Sequence, residues 1–350
     1  ISSLGKGYKD GYNFHKLVGN HNKQNVRIFG IGGSSLGAKA IYFFLKKKIK
    51  KQFYFIDNLG EDISFKKKEK YLDLVVSKSG NTLETIVNLN LHNKPKNKKI
   101  FITENKASYL RDLAKKLKSE IIHHNNYIGG RYSVLSEVGM LPAKLMGLNV
   151  NKFRSLNNLV KNKKFINSLI LNVSNTLRFI NDNKLNSIIL NYDDDSLDLF
   201  KWYQQLIAES LGKKGKGIMP IISTMPKDNH SVMQLYLDGP KNNFFTFFYV
   251  REKSSEKINN SRVLSASKYL KNKNLAKILF SQKLATERVF TNKDMPFRSF
   301  EVKKRDEKTL GELFCFFILE TILIGRALDI NPYDQPSVEL IKKETKKILI

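Results

Sequence analysis

The stretch FGIGGSSLG, residues 29–37, passes from an apolar run into a turn with two adjacent glycines and then into a helical pattern. A strand that ends in such a turn leaves backbone N–H groups free at the start of a helix, where the helix dipole favours an anion. The turn therefore indicates either an anion site or a tight turn with a purely structural role.

A dinucleotide is the first anion to consider. Its fingerprint is Gly-x-Gly-x-x-Gly, followed about 20 positions later by an acidic residue at the end of the second strand. Gly30 and Gly32 fit, and Asp57 ends the strand QFYFID, but Ser35 stands where the third glycine belongs. On its own, the turn leaves a dinucleotide, a smaller anion and a structural turn open.

Strand and helix patterns alternate along both halves of the chain. Short apolar runs such as VRIFGIG, LDLVVSKSG and KKIFITE are separated by helical patterns, which is typical of a parallel sheet with helical crossovers. A second alternation follows a lysine-rich helical stretch. We therefore predict an α/β protein with a first half at residues 1–150, a helical connector at 151–185 and a second half at 186–350.

The composition narrows the class of protein. With 350 residues, of which 41% are hydrophobic, the chain is long enough for two domains of about 150 residues. Its net charge is +29, but the lysines are scattered through every segment without interleaved aromatic residues, so we predict no nucleic-acid partner. The single cysteine, Cys315, excludes a disulfide framework and fits a reducing compartment, so we expect a cytoplasmic location.

Two further features concern the membrane and the N-terminus. The longest apolar run, Leu313–Leu328, contains Glu320 and is shorter than the roughly 20 residues that span a bilayer, so it predicts a buried helix and no membrane partner. The first residue is Ile1 rather than methionine, which indicates a trimmed or partial N-terminus.

A second loop favours a small phosphorylated ligand. In VVSKSGNTLETI, residues 75–86, a buried strand again leads into a helix, and the loop carries three hydroxyls and the Lys78 ammonium. Hydroxyls and helix N-terminal amides suit the three oxygens of a phosphate monoester, although an ordinary helix N-cap at Thr82 has the same composition. Two such loops at neighbouring strand ends face one crevice of a doubly wound sheet, and a dinucleotide does not need the second one.

Five segments, in order, resemble the glucose-6-phosphate isomerases, a family of phosphosugar isomerases with the sugar-isomerase (SIS) fold. The resemblance covers roughly residues 26–345, and its segments are GIGGSSLG (30–37), SKSGNTLET (77–85), GGRYSVLSEVGMLP (129–142), AESLGKKGKGI (208–218) and INPYDQPSVELIKK (330–343). It implies two SIS subdomains, each a parallel sheet flanked by helices. It also implies interconversion of glucose 6-phosphate and fructose 6-phosphate, a step of glycolysis and gluconeogenesis, with no metal and no nucleotide cofactor.

The family's reaction moves a proton between C1 and C2 of the open sugar through a cis-enediol. The resemblance implies that Glu209, in ESLGK, is the carboxylate base, and a positioned carboxylate is what abstraction of such a proton requires. Gln205 lies one helical turn earlier and inherits a substrate-binding role. Arg131, in GGRYS, is the implied cation for the negative charge of the enediolate.

The remaining implied site residues open the sugar ring or bind the substrate. His230 and Lys342 match the ring-opening positions, and in the family this histidine comes from the neighbouring subunit, which implies a homodimer. The substrate-binding positions are Gln335 for the sugar, Gly33 and Ser34 for the sugar or its phosphate, and Ser77, Lys78, Ser79 and Thr82 for the phosphate.

Two glutamates do not follow from this scheme. Glu137 is an unusual charge in the GGRYS segment, where the family more often has small residues. Glu320 matches a family glutamate and predicts either a hydrogen-bonded role near the site or subunit contact, or an exposed position. The alternative functions are another SIS-fold phosphosugar isomerase, such as an aminosugar-phosphate isomerase, or a sugar-phosphate-binding module without catalysis.

Overall fold

The structure is a computed structural model that describes residues 2–60, 69–251 and 255–350. Its strands are β1 (Asn25–Phe29), β2 (Phe53–Ile56), β3 (Tyr71–Val76), β4 (Lys98–Thr103), β5 (Glu120–His123), β6 (Asn186–Asn191), β7 (Met219–Thr224), β8 (Asn243–Val250) and β9 (Phe297–Val302). Its helices are α1 (Phe14–Val18), α2 (Leu36–Phe44), α3 (Leu83–Leu91), α4 (Tyr109–Lys116), α5 (Glu137–Leu145), α6 (Val150–Phe153), α7 (Leu156–Leu159), α8 (Lys163–Asn181), α9 (Leu197–Leu211), α10 (Met233–Asp238), α11 (Leu275–Asn292), α12 (Glu307–Ala327) and α13 (Val338–Leu349). Three 3-10 turns bear on the site: Gly32–Ser34, Gly130–Leu135 and Lys227–His230.

The first sheet has the strand order β2-β1-β3-β4-β5, and every pair in it is parallel. The order reverses direction between β1 and β3, which is the point where doubly wound sheets bind their ligands. The glycine turn follows β1 and the Ser-rich loop follows β3, so the two loops lie at neighbouring strand ends, as predicted.

The second sheet has the order β7-β6-β8-β9 and is also parallel throughout. Strand β8 is buried along nearly its whole length and is rich in phenylalanine, because both of its faces are covered by helices. The prediction of an α/β fold with two parallel sheets flanked by helices is therefore confirmed. Helices α6, α7 and α8 lie between the sheets in the sequence, and the division into domains at 150 and 186 remains a prediction.

A common core connects the two sheets. One cluster of buried apolar side chains includes Val26 of the first sheet, Ile189 of the second, and Trp202 and Phe317 from the helices between them. Helix α9 packs against both α2 and α12. Helix α12 is buried along most of its length, which confirms the buried helix predicted over Leu313–Leu328. In the described parts of the chain, no helix combines the length and the apolar character needed to cross a membrane.

Glu320 is buried and hydrogen-bonded, which excludes the exposed position predicted as one alternative, while a place near the site or a subunit contact remains a prediction. It is 1% exposed, forms an ion pair with Arg298 of β9 and accepts a hydrogen bond from the Tyr203 hydroxyl of α9. Burial, with Glu320 beside it, raises the pKa of Tyr203, so the hydroxyl stays protonated and donates. The three residues join α9, α12 and β9, and the partners leave no uncompensated charge in the core.

Two helix starts can be compared with the sequence pattern. The pattern SSLGAKAIYFFLKK predicts a helix with Ser34 or Ser35 near its N-cap, and α2 begins at Leu36 with Ser35 at the N-cap position. The pattern VLSEVGMLPAKLMGL predicts a helix that begins at Val134 and is interrupted by Pro142. In the structure Val134 and Leu135 still belong to the 3-10 turn Gly130–Leu135, and α5 begins at Glu137 and continues through Pro142. Proline costs this helix one hydrogen bond, and a helix buried on most sides tolerates that loss because its packing holds it.

One buried histidine gives a stability prediction. His124 is 2% exposed, and burial lowers its pKa from 6.5 to about 4. Between these pH values the unfolded chain binds a proton that the folded chain does not bind, so stability is complete above pH 6.5 and is lost as the pH falls towards 4. We expect the free energy of unfolding to drop about 2 kcal/mol more in the native chain than in His124→Gln between pH 7.5 and 5.0.

Urea unfolding at the two pH values measures this difference. His123→Gln is the matched control, since His123 is the neighbouring residue and is exposed. The control variant should keep the pH dependence of the native chain. An equal pH dependence in His124→Gln would show that protonation at this position does not destabilise the fold.

Candidate active site

The glycine turn after β1 packs against two other loops. A Cβ atom at Gly33 would lie 2.3 Å from the Gly130 carbonyl carbon, and one at Gly30 would lie 2.9 Å from the Val76 carbonyl oxygen. Gly32 has φ +57, and a Cβ there would lie 2.7 Å from Nε2 of Gln205. Glycine is required because the turn is in close contact with the end of β3, with the GGRYS loop and with α9.

Asp57, the acidic residue of the dinucleotide fingerprint, is paired with a lysine of the same chain. The Asp57 carboxylate forms an ion pair with Nζ of Lys39 at 3.1 Å and lies 3.4 Å from the Ser35 hydroxyl. A residue that binds a ribose needs a free carboxylate at this place. The arrangement therefore favours a structural role for Asp57, as the second loop indicated.

The loop after β3 is folded around the Ser77 hydroxyl. Ser77 is 1% exposed, shares a hydrogen bond of 2.8 Å with the Thr82 hydroxyl and accepts the Gly80 N–H at 3.2 Å. Gly80 has φ +66, and a Cβ there would lie 2.2 Å from Oγ of Ser108. Thr82 occupies the N-cap position of α3, but its side chain makes no capping hydrogen bond because it is turned to Ser77. The N–H groups in the first turn of α3 are thus not capped by this side chain and can bind an anion.

Lys78 and Ser79 have different surroundings from Ser77. The Lys78 ammonium donates to the Asn126 carbonyl at 3.0 Å and lies 3.5 Å from a carboxylate oxygen of Glu104. Ser79 is exposed, and its hydroxyl accepts the Asn81 N–H at 3.2 Å. Lys78 therefore joins the loop to the segment that leads into GGRYS. Ser34, in the glycine turn, is half-buried near the same strand ends.

Arg131 is held by protein groups on every side. It is 2% exposed, and its backbone carbonyl accepts the indole N–H of Trp202 at 3.2 Å. Its five N–H groups all have acceptors: Nε donates to Oγ of Ser210 (2.8 Å), Nη1 to Oε2 of Glu209 (3.1 Å) and Oε1 of Gln335 (2.7 Å), and Nη2 to the carbonyls of Pro332 (2.7 Å) and Asp334 (3.0 Å).

The Glu209 carboxylate lies between Arg131 and Gln205. Its Oε1 accepts the Gln205 amide at 2.8 Å, and its Oε2 accepts Nη1 of Arg131. The side chain of Glu209 remains 29% exposed, whereas that of Arg131 is buried. A carboxylate that is oriented by two donors and still open to solvent can accept a proton from a bound molecule. The structure therefore brings together four of the predicted residues: Arg131, Gln205, Glu209 and Gln335.

Two residues that sequence reasoning missed fix Arg131 in place. The Ser210 hydroxyl bonds both Nε of Arg131 and the Tyr132 hydroxyl, and Tyr132 also donates to the Pro332 carbonyl at 2.9 Å. Burial raises the pKa of Tyr132, so it stays a donor. Both residues directly follow a predicted site residue in the segments GGRYS and ESLGK, and that adjacency was the signal available in the sequence.

In the part of the chain that the structure describes, His230 and Lys342 form no hydrogen bond or ion pair with this group. His230 ends the 3-10 turn Lys227–His230, is exposed, and its imidazole has no hydrogen-bond partner in the described part of the chain. Lys342 lies on α13, is 62% exposed and pairs with Glu339 at 2.6 Å. Of the residues that the structure describes, no group of three or more His, Cys, Asp or Glu side chains is placed to hold a metal ion.

Comparison with known proteins decides the family. Residues 11–226 match the pattern of the family described as phosphoglucose isomerase. The glucose-6-phosphate isomerase of Methanocaldococcus jannaschii is 32% identical over an alignment of 355 positions, gaps included, that covers 95% of this chain and 86% of that protein. The chain belongs to the phosphoglucose isomerase family. The family resemblance stated from the five segments is thereby confirmed.

Solved structures agree with the fold of the phosphoglucose isomerase family. A hypothetical protein from Thermus thermophilus has a TM-score of 0.84 at 24% identity, over 96% of this chain and 86% of that one. A glucose-6-phosphate isomerase from Chlamydia trachomatis has a TM-score of 0.73 at 21% identity, over 96% and 72%. The tagatose-6-phosphate ketose/aldose isomerase of Escherichia coli has a TM-score of 0.58 at 11% identity, over 92% and 88%. The SIS-type architecture predicted from the sequence is therefore confirmed.

Proposed function

We propose that this chain interconverts glucose 6-phosphate and fructose 6-phosphate by ring opening and proton transfer through a cis-enediol intermediate. The observation that carries the proposal is the half-open Glu209 carboxylate, oriented by Gln205 and Arg131. The glycine turn lies in contact both with Gln205 and with the end of the strand that leads to Ser77, so the base and the phosphate loop border one crevice.

In this scheme each part of the site has a separate task. Ser77, Ser79, Thr82 and the first turn of α3 bind the phosphate, with Lys78 as a nearby positive charge and Gly33 and Ser34 beside the sugar. Glu209 moves the proton between C1 and C2, while Gln205 and Gln335 contact the sugar hydroxyls. Arg131 bears a positive charge next to the oxygens that become negative, and such a group commonly contributes several kcal/mol to the transition state.

A coupled assay tests the proposed activity. The native chain is supplied with fructose 6-phosphate, and the glucose 6-phosphate formed is oxidised by an added dehydrogenase. The assay is run with and without a chelator, because the scheme uses no metal. Glucosamine 6-phosphate and tagatose 6-phosphate serve as the alternative substrates, and their products are identified by chromatography because the dehydrogenase reports only on glucose 6-phosphate. Turnover of fructose 6-phosphate in the presence of chelator supports the proposal. Turnover of only the other sugars, or tight binding of fructose 6-phosphate without turnover, would favour the alternative functions.

The phosphate loop gives a prediction about KM. In Thr82→Val the hydroxyl that bonds Ser77 is lost, and a phosphate oxygen loses a donor, so KM for fructose 6-phosphate is expected to rise about tenfold with little change in kcat. Thr82→Ser keeps the hydroxyl and is the matched control, with a KM close to the native value. An unchanged KM in Thr82→Val would place the phosphate elsewhere.

The proposal includes a homodimer in which His230 of one subunit completes the site of the other. Two features support it. The first is that His230 is exposed and its imidazole has no hydrogen-bond partner among the described residues. The second is that no residue of α13, which the structure describes in full, is buried. Helix α13 presents apolar side chains to solvent, with Ile341 71% and Ile348 83% exposed. An amphipathic helix with an uncovered apolar side is stabilised when a second surface covers it. We also place the enzyme in the cytoplasm, since its single cysteine, Cys315, is free and fits a reducing compartment. The proposed reaction places it in glycolysis and gluconeogenesis, as the family resemblance implies.

Mixing two inactive variants tests the shared site. In a mixed dimer of Glu209→Gln and His230→Ala chains, one site has lost both groups and the other has kept both. Mixed dimers that carry both affinity tags should therefore have about half of the native activity. Co-expression with two affinity tags, followed by the coupled assay, measures the restored fraction. Activity no higher than that of the separate variants would mean that each site takes its histidine and glutamate from the same chain.

A further inference from the structure

A buried charge network lies directly behind the turn that carries Arg131. Glu137, in the first turn of α5, is 4% exposed. Its carboxylate accepts the Tyr8 hydroxyl at 2.8 and 3.0 Å and the Gly11 N–H at 3.1 Å. The unusual charge in this segment thus holds the N-terminal residues 8–11 against the start of α5.

Arg154 also binds the N-terminal residues 8–11, through Asp10 and the backbone of Tyr8. It is 2% exposed, pairs with Asp10, and donates to the Tyr8 carbonyl at 3.2 Å. Its guanidinium also lies 5.0 Å from the centre of the Tyr8 ring. Nε and Nη2 of Arg154 both donate to the Leu135 carbonyl, at 3.3 and 3.2 Å. Leu135 is the last residue of the 3-10 turn Gly130–Leu135, so this contact fixes the end of the turn.

The turn that carries Arg131 is therefore held at both ends. At its beginning, Gly33 packs against the Gly130 backbone, and the Ser133 hydroxyl bonds the Gly130 carbonyl at 2.6 Å. At its end stand Arg154 and Glu137. Buried charges are stable only when they are paired, so the network requires residues 8–11 to stay docked.

We propose that Glu137 is a positioning residue for the reaction. Glu137 acts through Arg131, because it holds residues 8–11 against the end of the 3-10 turn Gly130–Leu135. The inference rests on the role proposed for Arg131. Displacement of a catalytic group by about 1 Å can cost as much as 10²-fold in rate, and loosening one end of the turn is a smaller disturbance. We expect Glu137→Ala to lower kcat about tenfold with KM nearly unchanged. Glu137→Gln should regain most of this loss, because its amide oxygen still accepts from Tyr8 and Gly11.

A double-mutant cycle with Arg131→Ala distinguishes positioning from general destabilisation. The coupled assay is run on the full chain at a temperature well below thermal unfolding, which circular dichroism follows for each variant. If Glu137 acts through Arg131, Glu137→Ala lowers kcat in the native background but changes it less than about twofold in the Arg131→Ala background. An equal fold-change in both backgrounds, or no change in either, overturns the inference.

A milder variant keeps the test decisive if Glu137→Ala does not fold. Tyr8→Phe removes the hydroxyl that donates to both Glu137 oxygens and keeps the aromatic ring, and it should lower kcat about threefold in the native background only. The same loss in the Arg131→Ala background overturns the inference. Full activity of Arg131→Ala by itself contradicts the proposed role of Arg131 and this inference with it, and that result is seen before any Glu137 variant is measured.

Discussion

Glu209→Gln is expected to lower kcat for fructose 6-phosphate by about 10²–10⁴-fold while KM changes little, because an amide cannot accept the proton from the sugar carbon. The amide has nearly the same shape as the carboxylate, and its one oxygen can still accept from either Arg131 or Gln205. The fold and the binding of the sugar should therefore be preserved, and the loss should fall on the chemical step.

The coupled assay with fructose 6-phosphate measures this loss. Glu312→Gln is a suitable control, since Glu312 is a partly exposed carboxylate on α12 whose described ion pair is with Lys308. It should keep native kcat. A second variant, Glu209→Asp, retains the carboxylate but withdraws it by one methylene, and it should lie between the native chain and Glu209→Gln. A Glu209→Gln variant that is as fast as the native chain would remove the proposed base.

Arg131→Lys is expected to lower kcat by about 10²–10³-fold, nearly as much as Arg131→Ala. The physical reason is that the positive charge is only part of what Arg131 supplies. A lysine ammonium has three donors on a flexible chain and cannot serve the five acceptors that the guanidinium joins. The Pro332 carbonyl and the Ser210 hydroxyl would then keep only Tyr132 as a partner, and the Asp334 carbonyl would keep only the Lys213 ammonium.

The difference in kcat between Arg131→Lys and Arg131→Ala shows how much of the effect is due to the positive charge and how much to the geometry of the guanidinium. If Arg131→Lys keeps most of the native kcat while Arg131→Ala does not, charge alone stabilises the reaction and the network around Arg131 is not required. Ser210→Ala provides a matched test of the network, because it removes a single acceptor from Nε and leaves the charge in place. We expect it to lower kcat by less than Arg131→Lys does.

The sequence predicted the parts of the fold that follow from local pattern. Apolar runs separated by helical patterns indicated the parallel strands, and turn glycines marked the ends of β1 and β3. The crevice between these strands followed from the general geometry of doubly wound sheets. The short 3-10 turn at residues 130–135 could not be read in this way, because it is fixed by close contacts with Gly33 and Arg154 from distant parts of the chain.

The candidate site shows the same division. The family segments indicated Arg131, Gln205, Glu209 and Gln335, and the structure joins them by direct hydrogen bonds. They gave no information on Ser210 and Tyr132 or on the backbone carbonyls that hold Arg131, since those contacts depend on how α9 meets the segment after α12. Glu137 was visible only as an unusual charge, and its partners Tyr8 and Gly11 lie more than a hundred residues away.

A crystal structure of the Glu209→Gln variant with fructose 6-phosphate tests the central claim most directly, because slow turnover keeps the sugar in place. The account predicts phosphate oxygens within hydrogen-bond distance of the Ser77 and Thr82 hydroxyls and, in the same molecule, the side chain at position 209 about 3–3.5 Å from C1 or C2. A phosphate bound away from the loop after β3, or a side chain at position 209 turned away from both carbons, would contradict it.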